Sequence, residues 1–246
     1  MSRLLNRTAV ITGGNSGIGL ATAREFIAEG ARVIITGRNR TSLDQAVAEL
    51  GAQARGIVSD TSNLKDVLQL GQQVSAIFPK VDVLFINAGI AKFSPIEGVS
   101  EAFFDEQFNI NVKGAFFTIQ QLLPLMGEGG SIVLNTSINA HMGMPNASIY
   151  AASKAAVLTF AKNLSAELLP RKIRVNAISP GPVATPLHSK LGVPEKEHME
   201  QTAAAVPLGR FGTPQEIAKI AVFFASEDSS FVLGAELIAD GGMATL

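Results

Sequence analysis

The chain has 246 residues, 47% of them hydrophobic and 17% charged, which is enough apolar material for a sizeable core and too little charge for disorder. Lys and Arg number 20 and Asp and Glu 21, for a formal charge of −1, so no electrostatic footprint for nucleic acid or an anionic membrane is present. The absence of cysteine excludes disulfides, thiol nucleophiles and zinc–thiolate sites. It also suits a reducing compartment, and with no stretch approaching a membrane span the expected location is the cytoplasm.

From the amino terminus, β-branched runs alternate with helical patterns. Strands are expected at TAVIT, RVIIT, GIV, VDVLFI, SIVLNT, IRVNAI and ELIA, on their length and composition. Helices fit between them from Gly17 to Glu29, Ser42 to Leu50, Asn63 to Ile77, within Ser100 to Met126, Ser148 to Leu168 and Thr213 to Ala225. The last begins Thr-Pro, an N-cap followed by a proline in the first turn. No repeat or linker divides the chain, so one domain over 1–246 is expected.

The first strand runs into Thr12-Gly13-Gly14-Asn15-Ser16-Gly17-Ile18-Gly19. Glycines between a strand and a helix let the backbone approach a phosphate, and the helix N-terminus then offers N–H groups and a favourable dipole. The expected architecture is α/β: a Rossmann-type, doubly wound parallel sheet of about seven strands with helices on both faces. In such a fold a carboxylate at the end of the second strand would bond the ribose 2′-hydroxyl of NAD. Here that place reads Thr36-Gly37-Arg38-Asn39-Arg40, without an acid. A guanidinium suits a 2′-phosphate, so NADP is expected, with Arg38 the main contact and Arg40 or Asn39 as helpers.

Further along, Tyr150-Ala151-Ala152-Ser153-Lys154 holds the single tyrosine of a chain with 14 phenylalanines. Residues four apart share a helix face, so the Lys154 ammonium can stand beside the Tyr150 hydroxyl and is expected to lower its pKa. By itself the pair also reads as a surface contact. The irregular stretch from Pro180 to Gly212 is a long connection, usually a functional one.

Taken together, TGGNSGIG, Asn87-Ala88-Gly89, Asn111 in NVKG, Ser137, Tyr150 with Lys154, and Pro180-Gly181 resemble the short-chain dehydrogenase/reductase family from the first strand to the C-terminus. The resemblance implies catalytic roles for Asn111, Ser137, Tyr150 and Lys154. Tyr150 exchanges a proton with the substrate oxygen, Ser137 bonds the same oxygen, Lys154 lowers the tyrosine pKa and holds the nicotinamide ribose, and Asn111 binds a relay water. It also implies that Asp60 contacts the adenine, that Asn87, Ala88 and Gly89 pack on the adenosine side, and that Pro180, Gly181, Val183 and Thr185 lie along the cofactor. The substrate pocket is expected from Ala91 to Pro95, Asn139 to Pro145 and a mobile covering segment near 182–206. That pocket would present Phe93, Met142, Met144, Leu187 and Leu191, with Lys92, His141 and His188 as solvated exceptions.

The implied reaction is NADP(H)-dependent interconversion of a ketone and a secondary alcohol, on an uncharged and fairly hydrophobic small molecule. No metal is expected, since the chain has three histidines and no ligand spacing. The resemblance implies a homotetramer, and the apolar segments around Phe103 to Ile119 and Phe223 to Val232 offer surface for it to bury. A 3-oxoacyl carrier-protein reductase is the alternative within the enzyme class. A non-catalytic NADP-binding protein and a haloalcohol dehalogenase are others, the last disfavoured because Lys154 and the glycine loop are both kept.

Overall fold

In the computed structural model, which describes residues 2–186 and 195–246, seven parallel strands form one sheet. They are β1 (Thr8–Ile11), β2 (Arg32–Gly37), β3 (Ala54–Val58), β4 (Val81–Ile86), β5 (Met126–Asn135), β6 (Arg174–Pro180) and β7 (Glu236–Ala239). Their order is β3-β2-β1-β4-β5-β6-β7. Every residue of β1 and β4 is buried, as a parallel sheet covered on both faces requires.

The helices are α1 (Gly17–Ala28), α2 (Arg40–Leu50), α3 (Leu64–Ser75), α4 (Glu101–Phe108), α5 (Ala115–Leu122), α6 (Ser148–Leu168), α7 (Glu195–Ala205) and α8 (Pro214–Ala225). They divide the core in two. Phe26 of α1, Leu43 of α2 and Phe224 of α8 pack with Ile11, Ile35 and Phe85 on one face. Leu70 of α3, Leu122 of α5 and Leu164 of α6 pack with Val10, Leu84 and Ile132 on the other. The alternation of side chains along each strand makes this division, since neighbours such as Val10 and Ile11 point to opposite faces.

Two elements depart from the sequence reading. β5 starts at Met126 rather than Ser131, because the glycine-rich lead-in joins the sheet across a register irregularity opposite Val81 and Val83. The helix expected within Ser100 to Met126 is broken by a π-helical turn at Asn109–Gly114. A Cβ at Gly114 would lie 2.3 Å from Thr61 Cγ2 and 2.5 Å from the Thr61 carbonyl, so only glycine lets this turn sit against the chain after β3. Such turns insert a residue and re-aim those around it, here Asn111.

The Thr-Pro signal at 213–214 is realised as a capping box. Thr213 Oγ1 accepts from Glu216 N at 3.2 Å while Glu216 Oε2 accepts from Thr213 N at 2.7 Å. No helix among the described residues is long and apolar enough to cross a membrane. Leu187, His188 and Leu191, named above for the substrate side, lie outside the described residues.

Candidate active site

Strand order reverses between β1 and β4, and above their C-terminal ends opens a cleft of about 1120 Å³. That exceeds the roughly 300–1,000 Å³ of a site for one small ligand. At its near end Gly13 has φ +63°, and a Cβ there would come within 3.1 Å of Ala88 Cα. Gly19 faces the Gly13 carbonyl so closely that a Cβ would stand 2.3 Å from it. The loop therefore folds only with glycines at these points. Ser16, the N-cap of α1, makes no side-chain cap, which leaves first-turn N–H groups for an anion.

The loop and the Asn87-Ala88-Gly89 segment form one hydrogen-bonded unit. Thr12 Oγ1 accepts from Asn87 N at 2.9 Å and Ala88 N at 3.0 Å, and Asn87 Nδ2 donates to the Thr12 carbonyl at 3.0 Å. Asn135 Nδ2 donates in turn to Asn87 Oδ1 at 2.8 Å.

Beyond β2, Arg38 is exposed at the rim of the cleft, and among the described residues it has no carboxylate partner. Arg40 instead lies 3.7 Å from Asp44. Asn39 caps α2 by accepting from Ser42 N at 2.9 Å, and Asn15 Nδ2 reaches Ser42 Oγ at 2.9 Å. Asp60 lines the cleft while its Oδ1 accepts from Ser62 N and Ser62 Oγ.

At the other end the chain leaves β5 and places Ser137 at the start of a short 3-10 turn, Ile138–Ala140. Its hydroxyl donates to Asn139 Oδ1 at 3.1 Å and accepts from Asn139 N at 3.2 Å. It shares the cleft with the Tyr150 phenol from the first turn of α6, whose pKa it lowers in part. Lys154, one turn on, is 7% exposed, donates from Nζ to the Asn135 carbonyl at 2.9 Å and lies 5.9 Å from the Tyr150 ring centroid. Phe93 meets the same ring edge-on at 5.8 Å.

The electrostatics here correct the sequence reading. Burial pushes the Tyr150 phenol up, only partly opposed by Ser137, so the net shift runs opposite to the lowering expected from Lys154. Burial instead pulls the Lys154 ammonium down to about 8. The YxxxK spacing places a cation near the phenol but says nothing of how little water surrounds both. In this apolar corner desolvation outweighs the charge.

Gly13, Asn15, Ser16, Gly17, Ile18, Arg38, Asn39, Asp60, Asn87, Ala88, Gly89, Ser137, Tyr150, Lys154, Pro180, Gly181, Val183 and Thr185 all line this one cleft. Gly19 and Asn111 stand behind it. Gly19 serves the packing of α1 on the loop, whereas Asn111, 3% exposed, braces the wall. Its Oδ1 accepts from Ile90 N at 2.8 Å, and its Nδ2 donates to the Ile90 carbonyl at 3.0 Å and Ser153 Oγ at 2.9 Å.

Lys92 and His141 are not simply solvated, since they pair with Glu106 and Glu236. Sequence reasoning missed Asn135 and Ser42. Asn135 was within reach: it precedes Ser137 by two along an extended segment and so shares its side. Ser42 gives no local signal, because its place depends on α2 turning back toward Asn15.

A doubly wound parallel sheet with a glycine loop at its switch point, and a Ser, Tyr and Lys beside it, defines a dinucleotide-dependent oxidoreductase. Residues 13–244 match a family model described as enoyl-(acyl carrier protein) reductase. The oxidoreductase asL5 of Sarocladium schorii is 40% identical over 249 residues, covering 100% of this chain and 99% of its own. The 3-oxoacyl-[acyl-carrier-protein] reductase FabG of Thermotoga maritima is 38% identical over 246 residues, covering 98% and 99%. A solved dehydrogenase/reductase from Sinorhizobium meliloti 1021 is similar at a TM-score of 0.92 and 33% identity, over 99% of this chain and 96% of that one. The chain belongs to the short-chain dehydrogenase/reductase family, oxidoreductases that use a nicotinamide cofactor.

Proposed function

We propose that this protein interconverts a ketone and a secondary alcohol with NADP(H), with Tyr150 as general acid and base. The observation that carries the reading is that the Ser137 hydroxyl, the Tyr150 phenol and buried Lys154 meet at one end of the cleft. The cleft residues fit a dinucleotide: the loop approaches closely enough for a pyrophosphate, and Arg38 stands free at the adenosine end. Bound there, the nicotinamide gives or takes the hydride.

In reduction Tyr150, neutral because its pKa is raised, passes its proton to the substrate oxygen as negative charge develops on it. Ser137 donates a hydrogen bond to the same oxygen. Lys154 stabilises the phenolate left behind and would hold the nicotinamide ribose when the cofactor is bound. Asn111 holds the Ile90 loop and Ser153 around Lys154, and a relay water at this amide would share its Oδ1. The assignment of Asp60, Asn87 to Gly89 and Pro180 to Thr185 to cofactor contacts follows from their place along the cleft.

Arg38 supports NADP over NAD, because Arg40 is engaged by Asp44 and Asn39 caps a helix. The substrate end is walled by Phe93, Met142 and Met144, which suits an uncharged hydrophobic ketone and, through the methionines, several shapes. The alternative, a 3-oxoacyl carrier-protein reductase, is favoured by the printed name of the Thermotoga maritima relative. Lys92, next to the cleft-lining Phe93, is paired with Glu106 and so does not present a free cation there. Comparing NADPH oxidation with neutral ketones and with an acyl-carrier thioester tests the choice.

We also infer a single cytoplasmic domain that assembles as a homotetramer. Part of the apolar surface named above is absorbed by the core, Ile119 and Phe224 being buried. Phe104 and Phe116 remain 40% and 37% exposed beside Phe108 and Phe160, and Phe231 and Leu233 form a second apolar patch. Two separate patches suit two interfaces.

A further inference from the structure

The ladder between β5 and β6 ends with the bond from Thr136 N to the Ile178 carbonyl at 2.8 Å. Ser137, the next residue, lies beyond the sheet. Its own 3-10 turn supplies local bonds: Ala140 N to the Ser137 carbonyl, His141 N to the Ile138 carbonyl, and the exchange between Ser137 Oγ and Asn139. Besides the buried Ile138, a chain of polar side chains that the proposed reaction does not use ties this turn to the body of the protein.

His141 Nε2 lies 2.6 Å from Glu236 Oε1, on the edge strand β7 and 95 residues away in sequence. Facing a carboxylate, that nitrogen is the donor. The same oxygen accepts from Ser179 Oγ of β6. Ser179 has thereby committed its proton, so the neighbouring Thr136 hydroxyl faces it as the donor and shares its own proton with the Ile178 carbonyl. Thr136 and Ser179 are 3% and 0% exposed, and buried hydroxyls with directed bonds fix their strands firmly. One carboxylate oxygen thus grips the chain immediately before Ser137, through Ser179 and Thr136, and again four residues after it, through His141.

We propose that Glu236 is a positioning residue for Ser137, with His141 and Ser179 as its two arms. It touches neither substrate nor cofactor; it fixes the segment that carries Ser137, and so the place of the serine hydroxyl beside Tyr150 in the cleft. The inference rests on the role given to Ser137 above. It separates Glu236 from a mere tie between strands, because a tie would affect stability without affecting the chemical step.

The test compares Glu236→Ala, Glu236→Gln and His141→Ala with the full-length protein, by kcat for a ketone with NADPH, Kd for NADPH by nucleotide fluorescence, and hydrogen exchange at the amides of 137–141. Glutamine keeps an acceptor oxygen in place of Oε1. The expected result is a kcat roughly 10- to 100-fold lower in Glu236→Ala, as for a catalytic group misplaced by about an ångström. NADPH affinity should stay within about twofold of wild type, exchange at the turn should quicken, and Glu236→Gln should recover most of the activity. His141→Ala, altered at the surface, loses one arm and should fall between.

Faster exchange with unchanged kcat would reduce the contact to a structural tie and overturn the proposal. So would equal losses in Glu236→Gln and Glu236→Ala, or a matching loss of NADPH affinity. Should Glu236→Ala fail to fold, a wild-type kcat in His141→Ala would overturn it alone. A wild-type protein inert toward every ketone overturns the proposed function itself, and the positioning role with it, a result distinct from all of these.

Discussion

Replacing Lys154 with methionine should make the cofactor-free protein more stable while destroying its activity. The ammonium is 7% exposed, and burial lowers its pKa from 10.5 to about 8. At about 1.4 kcal/mol per tenfold change in proton affinity, holding that charge in the folded state costs about 3 kcal/mol. Removing it also orphans the Asn135 carbonyl that accepts from Nζ, which costs about 1 kcal/mol. The net gain is about 2 kcal/mol, or roughly 4–8 °C in Tm for a domain of this size.

The sign carries a pH signature. At pH 7 both the folded and the unfolded chain bind the proton, so the penalty is fully present. Between about 8 and 10.5 the folded protein releases its proton while the unfolded chain retains it, and the wild type gains stability as pH rises. The advantage of Lys154→Met should therefore be largest at pH 7 and fade by about pH 10.5. Calorimetry of both proteins across that range checks it. A variant less stable than wild type at pH 7, or an advantage independent of pH, would refute the reasoning.

Tyr150→Phe should lower kcat by roughly 10²–10⁴-fold with NADPH binding retained, since it removes only the proton donor; steady-state rates with a fluorescence titration measure both. Arg38→Ala should reduce the preference for NADPH over NADH by roughly 10- to 150-fold, the value of a charge-assisted bond, read as the ratio of kcat/KM for the two cofactors. Light scattering should give four times the chain mass at micromolar concentration. Placing Glu at Phe116 should dissociate that assembly, whereas a monomer mass for the wild type would contradict the reading of the exposed aromatic patches.

Most of the strands were legible because they are short β-branched runs, buried throughout in β1 and β4. VDVLFI and ELIA coincide with β4 and β7 to the residue. The order of loop, Ser137, Tyr150 and Lys154 along the chain was legible for the same reason the fold was: each sits directly after a strand or at a helix start. The π-helical turn was not, since it depends on Gly114 meeting Thr61, a contact between segments far apart in sequence.

The net shift at Tyr150 runs opposite to the lowering expected from Lys154. Spacing along a helix reports proximity, whereas desolvation depends on everything packed around the pair. The grip of Glu236 on both flanks of Ser137 was equally invisible, because three strands must assemble before its partners meet.

The most direct test of the account is the rate of NADPH oxidation, followed at the nucleotide absorbance, with matched neutral hydrophobic ketones, an acyl-carrier thioester, and NADH in parallel. The account predicts the highest kcat/KM for a hydrophobic ketone with NADPH and a clearly lower value with NADH. A maximum for the acyl-carrier thioester, or turnover that favours NADH, would contradict it.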